Sequence, residues 1–532
     1  MTQRKCPGSI TIYLCLTLLL LLTLFSAAIR SVRIASGRAV MASALDQSLY
    51  SLFSAYDTDL YETYGLLYLE GGYGTGTLKM GSLLEEVEDA YDQIVQPAGT
   101  SLLSSGRNLL DISEGEGSIT AYTLATDGNA CSLREQLCEA AKVRIGTNAA
   151  ETLLGKLTNQ QQSVKQAEDQ FGNVDMTSLF AAYDGMTGAG TSASGAASAE
   201  QSEAVTDAQA VTAAYRILSE DLQKGDLLAA TAEASETEAG TEASAGAAVE
   251  NPISGIRNLM KLGIFSLAVA DSGKLSNSRL EETLFSSRTP EQGMGVAEAA
   301  EDSLTEKTLL LEYLAETFPC YTDERDSGMC YQLEYAIAGK DTDLDNLKSV
   351  LNRLSVIRLA ANYLFLSTDA SFREEVDGIS LAICSVFLAP EMADTVAELI
   401  RVCWAYAESI CDLRTLLSGG SLPLMKSQTS WKLSFRSLSK AGIDSAETAS
   451  DSGSGSSGLS LSYRDYLRLL LFTKSETEIV SAWADLIEYH MRTDEGNEGF
   501  CMDHCIAAVK VQVESQLGST LTCQAERYRS YD

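Results

Sequence analysis

The stretch that decides the fold of this chain is Ile10–Ile29, which reads ITIYLCLTLLLLLTLFSAAI and holds no charged residue. A helix of this length, at about 1.5 Å per residue, extends about 30 Å and matches the hydrocarbon core of a bilayer. Ser26–Ala28 supplies small residues near its end, so a cleaved secretory signal is the alternative. We favour an uncleaved anchor, because helix-forming sequence continues through Arg30–Arg38 without a proline or a turn cluster.

Charge sets the expected orientation of this span. Basic residues flank it on both sides: Arg4, Lys5, Arg30, Arg33 and Arg38. Residues 31–532 hold all 73 acidic residues and all but three of the 39 basic ones. Large C-terminal domains translocate largely regardless of charge, and a short N-terminal tail is easily left inside. We therefore predict a single-pass cell-membrane protein, with residues 1–9 cytoplasmic, residues 10–29 in the lipid bilayer and the bulk extracytoplasmic.

The composition argues against several classes of function. A net charge of −34 disfavours nucleic acid as a partner, because Lys and Arg drive binding to phosphate backbones. Only two histidines, His490 and His504, serve 532 residues, which removes most histidine-based catalysis. Paired acids such as Glu374-Glu375 stand on expected helices, where a solvated face explains them. We expect no catalytic residue, no cofactor and no enzyme activity.

Apolar residues recur at helical spacing beyond the span. Together with the span, this spacing predicts one long helix through residues 30–70 that stops at the glycine cluster Gly71–Gly76. That cluster lacks the Gly-Lys-Ser/Thr ending of a phosphate loop. The helix carries an apolar stripe that must be covered, either by the distal chain or by a partner. We interpret it as an association stripe, formed by Met41, Leu45, Leu52 and Tyr56.

The rest of the chain divides by composition. Residues 71–186 form a helical region, with helices expected at 78–94 and 131–170. Residues 187–250 are a low-complexity linker, interrupted by a short helix at Val211–Leu228, and 251–532 form a distal helical domain with a disordered loop near 445–458. The predicted class is mainly α with a small β-sheet (α+β), an N-terminal transmembrane helix extended into a long amphipathic helix, and a helical-bundle ectodomain.

The distal domain carries the clearest local signals. Alternation predicts strands at Tyr331–Ile337 and at Val509–Val513, which we expect to pair with each other. Capping patterns predict helix starts near Thr342, at Ser371 and at Ser475. The apolar run Ile379–Leu388 predicts a buried helix. Further helices are expected at Pro390–Leu417, 462–473 and 476–491.

Cysteines give the remaining candidate chemistry. Cys320 and Cys330 flank a polar loop and are disulfide candidates outside the cytoplasm. Cys501, His504 and Cys505 form the one Cys/His cluster, but the usual two-plus-two spacing of a zinc site is absent. We expect no metal there. A disulfide that uses Cys501 or Cys505, and reduced structural cysteines, are the alternatives.

Several motifs together resemble a known family. They are Gly8-Ser-Ile-Thr-Ile-Tyr-Leu, Ala44-Leu-Asp-Gln-Ser-Leu-Tyr-Ser-Leu-Phe-Ser-Ala-Tyr-Asp57, Tyr64-Gly-Leu-Leu-Tyr68, Leu333-Glu-Tyr-Ala-Ile-Ala-Gly-Lys340, Ala405-Tyr-Ala-Glu-Ser409 and Leu459-Ser-Leu-Ser-Tyr-Arg-Asp-Tyr-Leu-Arg-Leu-Leu-Leu471. In this order they resemble an uncharacterised family of Gram-positive single-pass membrane proteins associated with tight-adherence (Tad/Flp) pilus systems.

The resemblance implies a structural or accessory role in pilus assembly or cell-surface adhesion, with pilus-apparatus or other pilin-like membrane proteins as partners. A membrane-bound sensor or ligand-binding surface protein is the alternative. The N-terminus also resembles a prepilin leader, with Gly8 directly before the apolar stretch and Gly8–Ser9 as the processing bond. The fifth residue after that bond is Tyr13, where pilin-like proteins usually have Glu, which puts processing in doubt.

Overall fold

The computed structural model describes residues 8–96, 110–191, 252–269, 275–280, 283–295, 303–323, 328–438, 460–518 and 521–531. The predicted helix Val211–Leu228, residues 192–250 of the predicted linker and the loop near 445–458 lie outside these ranges. The chain divides into two compact units that interleave along the sequence. Unit 1 comprises Met1–Val143, Thr283–Asp302 and Trp483–Asp532, and unit 2 comprises Arg144–Glu282 and Ser303–Ala482.

The described secondary structure is mainly helical. The helices are α1 (Gly8–Phe53), α2 (Thr58–Tyr64), α3 (Met80–Val95), α4 (Asp127–Ile145), α5 (Thr147–Phe171), α6 (Met176–Thr191), α7 (Pro252–Leu262), α8 (Ile264–Ala268), α9 (Leu304–Thr317), α10 (Gln332–Ala338), α11 (Asp343–Thr368), α12 (Ala370–Val386), α13 (Ala393–Leu417), α14 (Tyr463–Phe472) and α15 (Glu476–Thr493). The strands are β1 (Leu69–Glu70), β2 (Glu116–Leu124), β3 (Ser421–Pro423), β4 (Ser460–Ser462), β5 (Cys505–Leu517) and β6 (Leu521–Ser530). The predicted mainly α class with a small sheet is confirmed.

Helix α1 is shorter than the predicted helix through residue 70. It ends at Phe53, and the chain turns before Asp57, whose carboxylate accepts hydrogen bonds from the amides of Asp59 and Leu60 and caps α2. Helix α2 then ends at Gly65, which adopts a left-handed φ of 68°. The apolar residues do recur at helical spacing, but the Asp57 cap and the Gly65 stop divide the predicted helix.

Unit 1 is built around β5, whose neighbours are all antiparallel. Strand β2 pairs along one edge, with Ile119 opposite Val511, and β6 pairs along the other edge, with Arg527 opposite Val511. The predicted strand at Val509–Val513 is confirmed, and its three valines are fully buried. They pack with α1 and α3 in one hydrophobic core.

The predicted partner of that strand is wrong. Residues Gln332–Ala338 form helix α10, in which Gln332, Leu333, Glu334 and Tyr335 are buried in succession. A seven-residue segment is too short for its alternation to separate a strand from a helix buried on several sides. The expected turn at Gly339 is the left-handed cap of this helix, with φ 61°.

The predicted domain boundaries also differ from the two units. Residues 251–532 do not form one domain, because Trp483–Asp532 belongs to unit 1 with Met1–Val143. The reason is the pairing of β2 with β5, which joins residues near 120 to residues near 510. Helix α6 also continues to Thr191, past the predicted start of the linker at residue 187.

Unit 2 is helical, with β3 and β4 forming a two-stranded ladder. Its core gathers around α13, where Trp404, Ile400 and Cys403 are buried. Thr342 caps α11, and Ser475 and Glu478 form the predicted reciprocal cap, in which the Glu478 amide donates to Ser475 Oγ at 3.2 Å and the Ser475 amide donates to Glu478 Oε2 at 2.7 Å.

Two predictions about α12 are wrong. The helix begins at Ala370 rather than at Ser371, because the Asp369 carboxylate accepts from the amides of Ser371 and Phe372. The apolar run is also not buried, since Leu381 is 61%, Val386 77% and Leu388 88% exposed. Val376, Ser380 and Cys384, spaced by four, are buried, and Phe372, Ile379 and Ile383 pack half-buried against the same core. Leu381 and Val386 lie on the exposed face of the helix.

Candidate functional site

The first candidate site is the apolar part of α1, as a surface for contact with lipid. The helix from Thr11 is long and apolar enough to cross a membrane, and its apolar window is exposed. The predicted processing bond, Gly8–Ser9, lies at the start of α1, and the residues that precede it lie outside the described ranges.

The predicted association stripe is covered by its own unit. Met41 and Leu45 are fully buried, Leu52 is 6% exposed and Tyr56 is half-buried. The first three pack in one core with α3 and β5. The alternative that the distal chain covers the stripe is therefore the one observed, because β5 and β6 return to α1 from the end of the sequence.

The cysteine/histidine cluster lies in unit 1, on the turn between α15 and β5. Cys501 Sγ, an Asp503 carboxylate oxygen and a His504 ring nitrogen lie within 4.8 Å of one another. Asp503 was not among the predicted residues, although it stands inside the quoted cluster. Cys505, which was, is buried and donates its thiol hydrogen to the Cys501 carbonyl at 3.7 Å.

Two arginines occupy the surroundings of this cluster. Arg288 donates to Asp503 Oδ1 and to Glu488, and the Glu291 amide donates to Asp503 Oδ2 at 2.8 Å. Burial, the largest single influence, would raise the pKa of Asp503, but the hydrogen bonds from Arg288 and the Glu291 amide and the charge of Arg288 together outweigh it, and the pKa is lowered. Arg492 Nη2 lies 3.3 Å from Cys501 Sγ. Both Asp503 oxygens therefore already accept hydrogen bonds. The Asp503 carboxylate is an ion-paired anchor rather than an available metal ligand.

The thiol of Cys501 also disfavours metal. Burial, followed by the nearby Glu488 carboxylate, raises its pKa. Metal coordination requires the thiolate, so a raised pKa weakens any such binding.

The glycine cluster Gly71–Gly76 packs tightly against the chain beside Gly499. A Cβ atom on Gly499 would lie 2.3 Å from the Gly74 carbonyl oxygen, and one on Gly71 would lie 2.9 Å from the His504 carbonyl oxygen. These glycines allow close approach of backbone to backbone. The loop follows β1 rather than ending a helix.

The two disulfide candidates lie in unit 2, and both belong to the surroundings of a buried acid. Cys320 is buried, and its sulfur lies 3.2 Å from Thr322 Oγ1. The Cys330 amide donates to Asp343 Oδ2 at 2.9 Å, while the Cys330 thiol donates to the Gly328 carbonyl at 3.7 Å. Both sulfurs are thiols in this structure.

Glu334, on α10, is the buried acid at the centre of this region. Its side chain is fully buried, and its Oε1 accepts hydrogen bonds from the Tyr321 amide at 2.9 Å and from the Tyr463 hydroxyl at 2.8 Å. Its Oε2 has no donor among the described residues. Burial is the main cause that raises the pKa of Glu334 to about 7. The carboxyl group can therefore exchange a proton near neutral pH.

Sequence reasoning missed Glu334 and its partner Tyr463. Both lie inside motifs that carry the family resemblance, Leu333–Lys340 and Leu459–Leu471. The family resemblance of those motifs marked both segments, but it did not indicate that the two residues are in contact. A shallow polar depression nearby is lined by Arg279, Gly339, Lys340, Asp341, Thr342 and Asp345, and Glu334 does not line it.

A second buried network in unit 2 was also missed. The Arg358 guanidinium donates to Asp412 Oδ2 at 2.8 Å, and Lys426 Nζ lies 2.6 Å from Asp412 Oδ1 and contacts Glu408. All four side chains are fully buried. Two cations balance two carboxylates, so the network ties α11 and α13 to the segment after β3 without reaching solvent.

Comparison with known proteins gives one match. The model of a family of unknown function (DUF5702) matches residues 242–517, just over half of the chain, and this range contains Glu334, the Arg358 network and the Cys501–Cys505 cluster. No curated protein and no solved structure matches the chain. On the extent of that match, the chain belongs to the DUF5702 family, whose function is unknown.

Proposed function

We propose that this protein is a membrane-anchored, extracytoplasmic structural or accessory protein, which acts in pilus assembly of the tight-adherence type or in cell-surface adhesion. The observation that supports this proposal is the continuity of α1. One 46-residue helix contains both the exposed apolar stretch and residues buried in the core of unit 1.

The junction between anchor and folded unit is short. Arg33 Nη2 donates to the Leu110 carbonyl at 2.8 Å, and a Cβ atom on Gly37 would lie 2.6 Å from Leu517 Cδ1. Arg33 lies four positions after Ile29, which in a helix is about 6 Å. An anchor joined so closely holds unit 1 at the lipid headgroups, as a scaffold protein requires and a flexible tether would not provide.

The burial of the association stripe leaves a different part of α1 for contact with partners. Because Met41 and Leu45 are buried in unit 1, we do not assign partner binding to the stripe. The exposed residues of the apolar stretch, such as Leu20 and Phe25, can instead pack against other membrane helices, including pilin-like ones.

A membrane-bound sensor or ligand-binding protein is the second candidate. The buried Glu334, with a pKa near neutrality in the family-matched region, favours it. In keeping with the sequence analysis, we do not propose an enzyme activity.

In-cell photocrosslinking tests the first proposal. A photoreactive residue at Leu20 is expected to crosslink to pilus-apparatus proteins, whereas one at Ser51, which is exposed on the same helix beyond the apolar stretch, serves as the matched control and should not. Deletion of the gene should reduce assembled surface pili. Normal piliation in the deletion strain, with no crosslink from Leu20, would contradict the proposal, and a gene next to a kinase or transporter rather than a pilus ATPase would favour the sensor.

A further inference from the structure

The carboxyl group of Glu334 joins three separate parts of unit 2. Through Oε1 it holds the Tyr321 amide, in the loop after α9, and the Tyr463 hydroxyl, on the first residue of α14. The neighbouring Leu333 amide also donates to the Pro319 carbonyl at 3.1 Å. These contacts span 13 and 129 residues of sequence, so one side chain fastens distant segments to α10.

The charges around Glu334 do not compensate an ionised carboxylate. The loop after α9 contributes Cys320, Tyr321 and Asp323, and α14 contributes Tyr463 and Arg464. Asp343, at the start of α11, adds a second buried acid. The guanidinium of Arg464 is directed to Asp323, to which it donates, and to the Ala315 carbonyl at 2.6 Å. Among the residues that the structure describes, Glu334 makes no ion pair.

The adjacent Asp343 site differs in this respect. Its two carboxylate oxygens accept from the amides of Cys330 and Tyr331 and from the Ser276 hydroxyl. Tyr331 and Cys330 thus face Asp343 and are the other titratable groups that the structure describes beside it. An Asp343 carboxylate is satisfied by three donors, whereas Glu334 Oε2 has none among the described residues. Glu334 is the group for which ionisation is costly.

We propose that Glu334 is a proton-responsive fastening in unit 2, which holds the loop after α9 and helix α14 most firmly when the carboxyl is protonated and loosens them when it ionises. This inference concerns unit 2 alone and does not depend on the proposed function. The pH of the surrounding solution would then set how firmly these segments are held.

The direction of the pH dependence follows from the burial. The pKa of Glu334 is raised from 4.5 to about 7 in the folded chain. Its contribution to stability is complete below pH 4.5, falls as the pH rises toward 7, and is absent above that range. A shift of this size corresponds to about a 300-fold change in the unfolding equilibrium constant.

The experiment compares chemical unfolding of the full chain in detergent micelles at pH 5 and pH 8. The Glu334→Gln variant, which resembles the protonated acid at every pH, should match the wild type at pH 5 and exceed it at pH 8. Glu316→Gln changes an exposed acid on α9 and is the matched control, which should follow the wild type at both values. Parallel pH curves for wild type and Glu334→Gln would overturn the proposal.

A second measurement serves if Glu334→Gln does not fold. The Tyr463→Phe variant removes the hydroxyl that stabilises the carboxylate, so the pH at which Glu334 ionises should rise. Infrared titration of the protonated carboxyl band, with exchange of the Tyr321 amide, reports that ionisation directly. A carboxyl band lost below pH 5 in the wild type, or a protection factor of the Tyr321 amide, which is its exchange rate relative to the intrinsic rate at each pH, that stays constant, would contradict the proposal.

Discussion

Two buried acids illustrate what decides chemistry at the residue scale. Asp503 receives the Arg288 guanidinium and a backbone amide, and its pKa is lowered. Glu334 receives a backbone amide and a hydroxyl but no cation among its described contacts, and its pKa is raised to about 7. Burial alone would raise both values. The presence or absence of an arginine partner therefore separates an ion-paired anchor from a group that exchanges its proton.

The Cys501 cluster gives a prediction at this scale. The detergent-solubilised full chain should contain no stoichiometric zinc, and chelator should leave its melting temperature unchanged. The physical reason is that both Asp503 oxygens are engaged, and Arg288 and Arg492 place positive charge beside the ligands. Elemental analysis and thermal unfolding provide the measurement.

One outcome would contradict that prediction. It is one zinc per chain, lost together with stability in Cys501→Ser but retained in Cys131→Ser, which removes a half-buried cysteine outside the cluster. A structural zinc contributes folding energy, so its loss would lower the melting temperature.

At the scale of elements, α1 changes its environment along its length. Its first half is apolar on all sides and exposed, and its second half buries one face against α3 and β5. In helix α12, by contrast, an apolar run predicted to be buried leaves Val386 77% exposed. An apolar helix surface is stabilised when another element or a partner buries it. The sequence of the helix does not show whether such an element is present in the fold.

The burial of α1 gives a prediction about unit 1. The double change Leu45→Glu and Leu52→Glu should unfold unit 1, because a large core side chain replaced at each site costs about 2–5 kcal/mol even without a buried charge. Tyrosine fluorescence and near-ultraviolet circular dichroism measure the loss.

Ser51→Glu, on the exposed face of the same helix, is the control and should leave folding intact. If the double variant instead folds as the wild type does and loses only crosslinks to partners, the stripe is an association surface after all, and the core assignment is wrong.

At the scale of the whole molecule, the chain passes between the two units more than once. Helices α6 and α7 flank residues 192–251, yet Met186 on α6 and Ile256 on α7 belong to the same core cluster. A chain cut between these helices should therefore stay together through buried contacts.

Proteolysis of intact protoplasts tests both topology and this interleaving. The low-complexity composition of residues 229–250 predicts early cleavage there if the bulk is extracytoplasmic. The two fragments should co-purify in native buffer and separate in denaturant. Full protection of the chain beyond Arg38, with cleavage only after lysis, would contradict the orientation, and separation in native buffer would contradict the shared core.

The sequence by itself determined the features that depend on near neighbours. The helix over Ile10–Ile29, the cap at Ser475 and Glu478 and the strand at Val509–Val513 are confirmed, because each depends on a short-range or periodic pattern. The motifs at Leu333–Lys340 and Leu459–Leu471 were also recognisable in the sequence. The contact between Glu334 and Tyr463 that joins them was not.

Tertiary structure decided which distant residues meet. The pairing of β2 with β5, the cover that β5 and β6 provide over α1 and the contact of Glu334 with Tyr463 join parts of the chain that lie more than 100 residues apart. No local pattern specifies such partners, because many apolar faces and strand edges in one chain are compatible with each other. Their choice follows from the simultaneous burial of all of them, and it is this choice that buries Glu334 with no ion pair among the described residues and raises its pKa to about 7.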